Sequence, residues 1–200
     1  MKPDHTIIVD NFFSKPLVVR DIALGLNYFT SEHGLYSGKR TDSIHLSHRN
    51  FYDEVCNKIL KYYSLSMKEY TATMYFHTTG KEFGQQGWVH QDGNTDLASI
   101  IYLNPIVDDL SSGTSLFNLK SSISNNNVSI SSLRNSFIEG KDNLDEKNKH
   151  NSNYEKNVIV GGIFNRMIAY PGLSFHAGEG YFGTDILTSR LTLLSFFSKK

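Results

Sequence analysis

Five short runs of β-branched and aromatic residues dominate the sequence from residue 70 onward. They read YTATMYFH (70–77), DLASIIYLN (96–104), TSLFNL (114–119), FNRMIAYP (164–171) and RLTLLSFFS (190–198). Residues of this kind favour strands, and the Gly, Asn and Ser clusters between the runs favour turns. Because no helical pattern separates these runs, we expect a mainly β sandwich or jelly roll.

The first 69 residues have a different character. Phe51, Val55, Ile59 and Tyr62 are spaced as on one face of a helix, which predicts an amphipathic helix over 51–63. A second helix is expected from Pro16, because proline suits the first turn. The segment between the two helices is interpreted as a loop with room for one strand. We expect the helices to buttress one face of the β-structure, giving an α+β chain.

Residues 120–157 interrupt the strand pattern. They are rich in Ser, Asn and Lys and poor in aromatic residues, so they can bury little apolar surface. A polar insertion is therefore expected here, either disordered or acting as a lid over a site. The predicted organisation is one domain over 1–200, with helical support in 1–69 and a β core in 70–119 and 158–198.

Charge and hydropathy argue against several partners. The formal net charge is zero, so no basic field is available to attract nucleic acid or anionic lipid. No apolar run approaches the roughly 20 residues that span a bilayer, and MKPDHTIIVD lacks a signal-peptide pattern. With Cys56 as the single cysteine, no intrachain disulfide can form, and we expect a buried, inert thiol. A cytoplasmic location is expected.

His90 and Asp92 lie two residues apart in WVHQDG, just before an apolar strand. On a strand, such residues point to the same side, so an imidazole and a carboxylate could face one metal ion. The pair could equally be a hydrogen-bonded contact at a strand end, because His-x-Asp alone is a weak signal. His176, in FHAG, is the candidate third ligand on a separate strand.

Arg190 opens the last apolar run. A buried guanidinium is costly without an anionic partner. It can form a structural salt bridge with Asp185, or it can bind an external dicarboxylate through its bidentate fork. The sequence leaves both interpretations of Arg190 open. His77, at the end of the first of the strand runs, is interpreted as pocket rim or surface.

The order of these pieces resembles the Fe(II)/2-oxoglutarate-dependent dioxygenases, and most closely their prolyl-4-hydroxylase-like branch. The matching segments are MYFHTTG, WVHQDG, IIYLNP, SGTSLF, NRMIAYPG, FHAG and SRLTL, which cover about residues 70–198 apart from the insertion. The resemblance implies a double-stranded β-helix, a jelly roll of cupin-like type. It further implies an oxidoreductase that uses oxygen to convert 2-oxoglutarate to succinate and CO₂ while it hydroxylates an unactivated C–H bond.

The resemblance also assigns residues. It implies that His90, Asp92 and His176 hold catalytic Fe(II), and that Arg190 holds the distal carboxylate of 2-oxoglutarate. Thr192, Tyr75 and Tyr102 are implied as further contacts to this co-substrate. Oxygen is the second co-substrate, and ascorbate is expected to stimulate turnover. Because Asp92 is present as a carboxylate, hydroxylation is favoured over halogenation.

Two departures from the family pattern bear on the substrate. Prolyl hydroxylases usually carry lysine where Arg190 stands, and compact members lack the polar insertion. The substrate is therefore expected to be a small molecule, an amino-acid derivative or a peptide side chain, with no nucleic acid or membrane partner. Two alternatives remain: a non-catalytic jelly-roll binding or structural module, and a cupin-like metal enzyme that does not use 2-oxoglutarate.

Overall fold

A computed structural model describes residues 3–30, 36–107, 109–121 and 144–200. The strands are β1 (Ile7–Val9), β2 (Phe29–Thr30), β3 (Lys39–Arg40), β4 (Tyr70–Thr79), β5 (Leu97–Tyr102), β6 (Gly113–Leu119), β7 (Tyr154–Gly161), β8 (Met167–Pro171), β9 (Phe175–Glu179) and β10 (Arg190–Lys199). The helices are α1 (Pro16–Leu24), α2 (Ile44–Ser47), α3 (Arg49–Lys61) and α4 (Leu144–Asn151), and a 3-10 turn covers Lys81–Phe83.

Seven strands form the larger sheet, in the order β1-β8-β5-β10-β4-β3-β2. Neighbouring strands are antiparallel, and β10 pairs along its length with β4 and with β5. The smaller sheet has the order β7-β6-β9. Two further bridges join β9 to the segment before β5, at Gln86–Glu179 and His90–His176. The predicted mainly β jelly roll with N-terminal helices is confirmed.

Side chains on the outer face of the larger sheet pack against the N-terminal helices. Helix α3 contributes Val55, Cys56, Ile59 and Leu60 to this core, and β10 contributes Leu191, Leu193 and Phe197. Each fully buried Leu or Ile adds roughly 1.5–3 kcal/mol to stability. Burial raises the pKa of the Cys56 thiol to about 12, which agrees with the expected inert role.

The inner face of the larger sheet meets the smaller sheet across a second, smaller core. Ile100, Ile168 and Leu194 pack there with Val160 of the smaller sheet. These apolar residues line the middle of the space between the sheets. At the ends of the same space the inward-facing residues are polar, and they form the site described below.

The chain is more regular than the sequence predicts in two places. The region interpreted as loop with one strand holds β2, β3 and the short helix α2. Part of the predicted insertion 120–157 holds α4 and the start of β7, whereas 122–143 lie outside the described residues. Most residues of β7 are exposed, and an exposed edge strand of polar residues resembles a loop in composition.

Among the described helices, none combines the length and the apolar character needed to cross a membrane.

Candidate metal centre

His90, Asp92 and His176 converge between the two sheets. Their potential ligand atoms all lie within 4.8 Å of one another. Asp92 Oδ1 is 3.7 Å from His90 Nε2, and Asp92 Oδ2 is 3.5 Å from His176 Nε2. Reciprocal backbone hydrogen bonds of 3.0 and 2.9 Å join the two histidines, so the bridge between β9 and the preceding segment sets their spacing.

Both imidazoles are held with Nε2 toward Asp92. His90 Nδ1 is 2.8 Å from the Trp88 carbonyl, and His176 Nδ1 is 2.9 Å from the Ser174 carbonyl. A carbonyl only accepts, so each Nδ1 carries the proton and each Nε2 keeps a lone pair. Outer hydrogen bonds of this kind orient metal-binding histidines.

Asp92 is positioned by backbone hydrogen bonds, and its carboxylate can still bind a cation. Its amide donates to Gly172 at 2.8 Å, and its own carbonyl accepts from Thr95, so a turn begins here. His90 and Asp92 therefore reach the same site where the chain turns at Asp92. They do not alternate along a regular strand, as the sequence suggests. Asp92 Oδ2 is buried and accepts no hydrogen bond from the described residues. A cation would satisfy it, and two imidazoles with one carboxylate form a facial ligand set suited to Fe(II).

The protonation state of His90 also suits a metal ligand. Desolvation of the ring between the sheets and the neighbouring His176 lower the pKa of His90 to about 4, although its side chain is 46% exposed and Asp92 opposes the shift. The imidazole is therefore neutral at pH 7, with its lone pair free to coordinate.

The segment that carries His90 is irregular and is tied down by α4. Asn151 accepts from the Val89 amide at 3.0 Å and donates to the Gly87 carbonyl at 3.0 Å. His150 Nε2 donates to the Val89 carbonyl at 2.8 Å. This support was not predicted from the sequence, because α4 lies in the segment interpreted as an insertion.

Arg190 lies at the other end of the same inter-sheet space. It is 5% exposed, and its guanidinium donates to the Gly113 carbonyl at 3.0 Å. The guanidinium carbon is 5.4 Å from the centre of the Tyr102 ring, and the Tyr102 hydroxyl donates to Thr114 at 2.8 Å. Burial raises the pKa of Tyr102, so this hydroxyl stays protonated.

Arg190 has no acidic partner among the described residues. Its Nε is buried without an acceptor there. Asp185, the alternative partner, instead accepts from the Leu187 amide and from the amide and hydroxyl of Thr188. The structural salt bridge considered from the sequence is therefore not formed, and the Arg190 Nε is left without a protein acceptor among the described residues.

Four inward-facing residues lie in one row across β3, β4, β10 and β5, because the strands pair in register at these positions. They are Arg40, His77, Thr192 and Tyr102. Thr192 is fully buried and donates to the His77 carbonyl at 3.4 Å. Burial and the charge of Arg40 lower the pKa of His77 well below its usual value. His77 is thus a neutral wall residue, and its Nε2 donates to the Ser37 carbonyl at 2.6 Å.

Tyr75 lies apart from the other predicted co-substrate contacts. It pairs with Leu194, two residues along β10 from Thr192, and its ring centre is 5.9 Å from the Arg40 guanidinium carbon. Arg40 was not among the site residues predicted from the sequence. A strand of two residues has no periodicity that could show that Arg40 faces inward.

The chain was compared with known proteins. The model of DUF6445, a family of unknown function, matches residues 2–197. No curated protein sequence matched.

Several solved structures share the fold. One is a prolyl hydroxylase in complex with a hypoxia inducible factor peptide fragment from Trichoplax adhaerens, with 11% identity, a TM-score of 0.56, and coverage of 96% of this chain and 83% of that one. HygX from Streptomyces hygroscopicus, with nickel and 2-oxoglutarate bound, has 9% identity, a TM-score of 0.60, and coverage of 96% and 82%. A Pseudomonas putida prolyl-4-hydroxylase has 12% identity, a TM-score of 0.53, and coverage of 98% and 92%. At these identities the likeness establishes the fold.

Proposed function

The chain belongs to DUF6445, a family of unknown function, and we propose that it is an Fe(II)- and 2-oxoglutarate-dependent dioxygenase. The proposed reaction hydroxylates an unactivated C–H bond of a small molecule, an amino-acid derivative or a peptide side chain. The observation that carries the proposal is the pairing of the His90, Asp92 and His176 cluster with Arg190, a buried cation without an acidic partner in the described ranges.

The proposed iron ligands are His90 Nε2, His176 Nε2 and the Asp92 carboxylate. Their support comes from the donor set, from the Nδ1 contacts that direct both Nε2 atoms inward, and from the buried Asp92 oxygen that lacks a partner. Three protein ligands on one side of the metal leave its other positions open for co-substrate and oxygen. Such open positions are typical of the two-histidine, one-carboxylate arrangement. Bound iron would supply the oxidising chemistry, with oxygen and 2-oxoglutarate as co-substrates.

The proposed site for 2-oxoglutarate runs from the metal cluster to Arg190. Tyr170 packs on His176 with 4.7 Å between ring centres. Tyr170 pairs with Ala98, four residues before Tyr102 on β5, which corresponds to about 13 Å along the strand. One end of the dicarboxylate would reach the metal, and the distal carboxylate would meet Arg190 with hydroxyls from Tyr102 and Thr192.

The chain's own residues would bind, orient and exclude water. Arg190 would pair with the distal carboxylate through its fork, and its burial strengthens that interaction. Ile100, Ile168 and Leu194 would keep water from the space between the two ends. Tyr75, opposite Leu194 on β10, would be a further contact to the co-substrate between the two ends.

The test is turnover of 2-oxoglutarate by purified protein with Fe(II), ascorbate and oxygen. We expect succinate to form slowly even without a primary substrate, and His90→Ala to abolish it. His48→Ala, at a half-buried histidine between α2 and α3, is the matched control and should retain wild-type turnover. A wild-type protein that binds neither iron nor 2-oxoglutarate without oxygen would contradict the proposal. Turnover of another substrate that survives Arg190→Ala would indicate a cupin-like enzyme independent of 2-oxoglutarate.

A further inference from the structure

We propose that Arg40 forms a second anion site in the crevice between the two sheets, separate from the site at Arg190. This second site binds a carboxylate group of the primary substrate. The inference rests on the proposed function and narrows the substrate to molecules with a carboxylate near the C–H bond that reacts.

The Arg40 guanidinium is held in place by aromatic rings rather than by acids. Its carbon lies 3.9 Å from the Tyr36 ring centre, 5.6 Å from that of Phe196 and 5.9 Å from that of Tyr75. Stacking on ring faces fixes the guanidinium plane but uses none of its N–H donors. The fork is therefore oriented by contacts that do not use its donors.

Arg40 has no ion pair with any acid in the described part of the chain. Its Nε is buried and finds no acceptor there. Burial lowers the pKa of Arg40, and the charge of Asp92 opposes that shift. An arginine nevertheless stays protonated at pH 7. A half-buried cation whose Nε is enclosed without an acceptor is costly unless a ligand completes it.

The position of Arg40 separates it from the co-substrate end. On β4, Arg40 is in register with His77, whereas Arg190 is in register with Thr79. Arg40 also lies two strands away from Arg190, toward the β2 edge of the larger sheet. Its contacts with Tyr75 and Phe196 turn it toward the metal cluster, where the field of Asp92 reaches it. Arg40 thus faces the part of the crevice that a primary substrate must enter.

A carboxylate fits this site better than a neutral group. The free donors include Nε, and a carboxylate can take Nε and one terminal N–H side by side. The polar groups that face Arg40 are Tyr36, Tyr75, His77 and, on the metal side, Asp92. Asp92 would be engaged by the metal, so the charge left to neutralise Arg40 must come from the ligand.

The test uses bromide as an anion with a diffraction signal. Crystals of the protein loaded with Mn(II) and 2-oxoglutarate are soaked in sodium bromide, and data are collected at the bromine edge. We expect a bromide in contact with the Arg40 guanidinium in the wild type, lost in Arg40→Gln, with 2-oxoglutarate still at Arg190. Acetate added to the soak should displace this bromide, whereas acetamide should leave it in place.

Three results would overturn the inference. They are a wild-type crystal without bromide at Arg40, a bromide there that acetate does not displace, and a 2-oxoglutarate carboxylate found on Arg40 instead of Arg190. The wild-type crystal alone decides the first two, so the test does not depend on the folding of the variant. Absence of Mn(II) or 2-oxoglutarate from the crystal would instead contradict the proposed function, while the bromide at Arg40 would still report on the anion site.

Discussion

Asp92 shows at the scale of one residue how stability can be given up for binding. Its buried Oδ2 has no hydrogen-bond partner among the described residues, and an unsatisfied buried polar atom costs about 1–3 kcal/mol. We predict that Asp92→Asn leaves the free energy of unfolding of the metal-free protein unchanged or raises it. The same change should weaken Mn(II) binding at least about 100-fold, beyond the loss typical of an outer contact.

Denaturant unfolding and Mn(II) titration measure the two effects. Asp53→Asn is the control, because Asp53 is an exposed acid paired with Arg49 on α3, and it should not alter Mn(II) affinity. An Asp92→Asn protein that loses stability and keeps Mn(II) would make Asp92 a structural residue.

Arg190 gives a prediction for the co-substrate. Arg190→Gln should raise the dissociation constant of 2-oxoglutarate at least about 30-fold, because loss of a buried charge pair costs 2–5 kcal/mol. Mn(II) affinity should not change. Isothermal titration without oxygen measures both, and Arg49→Gln, at an exposed arginine of α3, should match the wild type. Equal affinity of the Arg190 variant for 2-oxoglutarate would contradict the assignment.

Single residues were predictable from the sequence where a pattern surrounds them. Arg190 adjoins a strong apolar run, so its place at the start of β10 could be predicted, whereas the turn at Asp92 that follows His90 could not. The Tyr36–Arg40 contact could not, because β3 is two residues long and its pairing with β4 is a tertiary choice. Hydrogen-bond partners such as the Trp88 and Ser174 carbonyls leave no mark on the sequence.

At the scale of elements, α4 supports the segment that carries His90. Asn151 makes its contacts with the backbone of residues 87 and 89. We predict that Asn151→Ala weakens Mn(II) binding about 10-fold, at the low end for outer contacts, because the His90 ring becomes less well oriented.

The control is Asn148→Ala, three residues earlier on the exposed side of α4. It should keep wild-type Mn(II) affinity with the same overall helix content by circular dichroism. If both variants bind Mn(II) equally well, α4 does not position His90.

The strands differ in how readily the sequence reveals them. The segments β4, β5 and β10 were predicted because they are apolar on at least one face along their whole length. The segment β7 was not, since it is largely exposed. The segment β9 was expected only as a separate strand for His176, because it has five residues and includes the small Ala177 and Gly178. The positions of β7 and β9 depend on pairing with β6.

At the scale of the whole molecule, β10 contributes one face to the stabilising core and the other face to the binding crevice. Leu191, Leu193 and Phe197 face the helices, whereas Arg190 and Thr192 face the crevice. The jelly roll can therefore keep its outer core while the inner face carries polar groups. Ligands that join the two ends of the crevice should then stabilise the entire fold.

We predict that Mn(II) and 2-oxoglutarate together raise the melting temperature. A ligand at 100 times its dissociation constant adds about 2.7 kcal/mol, and a protein of this size gains about 2–4 °C per kcal/mol. Each ligand should thus add about 5–10 °C, and Arg190→Gln should lose only the 2-oxoglutarate part. A wild-type melting temperature that neither ligand changes would contradict a shared site.

Diffraction at the iron absorption edge, from crystals grown without oxygen in the presence of Fe(II) and 2-oxoglutarate, tests the proposed dioxygenase site most directly. We expect one anomalous peak bounded by His90, Asp92 and His176, with 2-oxoglutarate density that runs from this peak to Arg190. An anomalous map with no peak at these three residues, or 2-oxoglutarate bound away from Arg190, would contradict the proposed function.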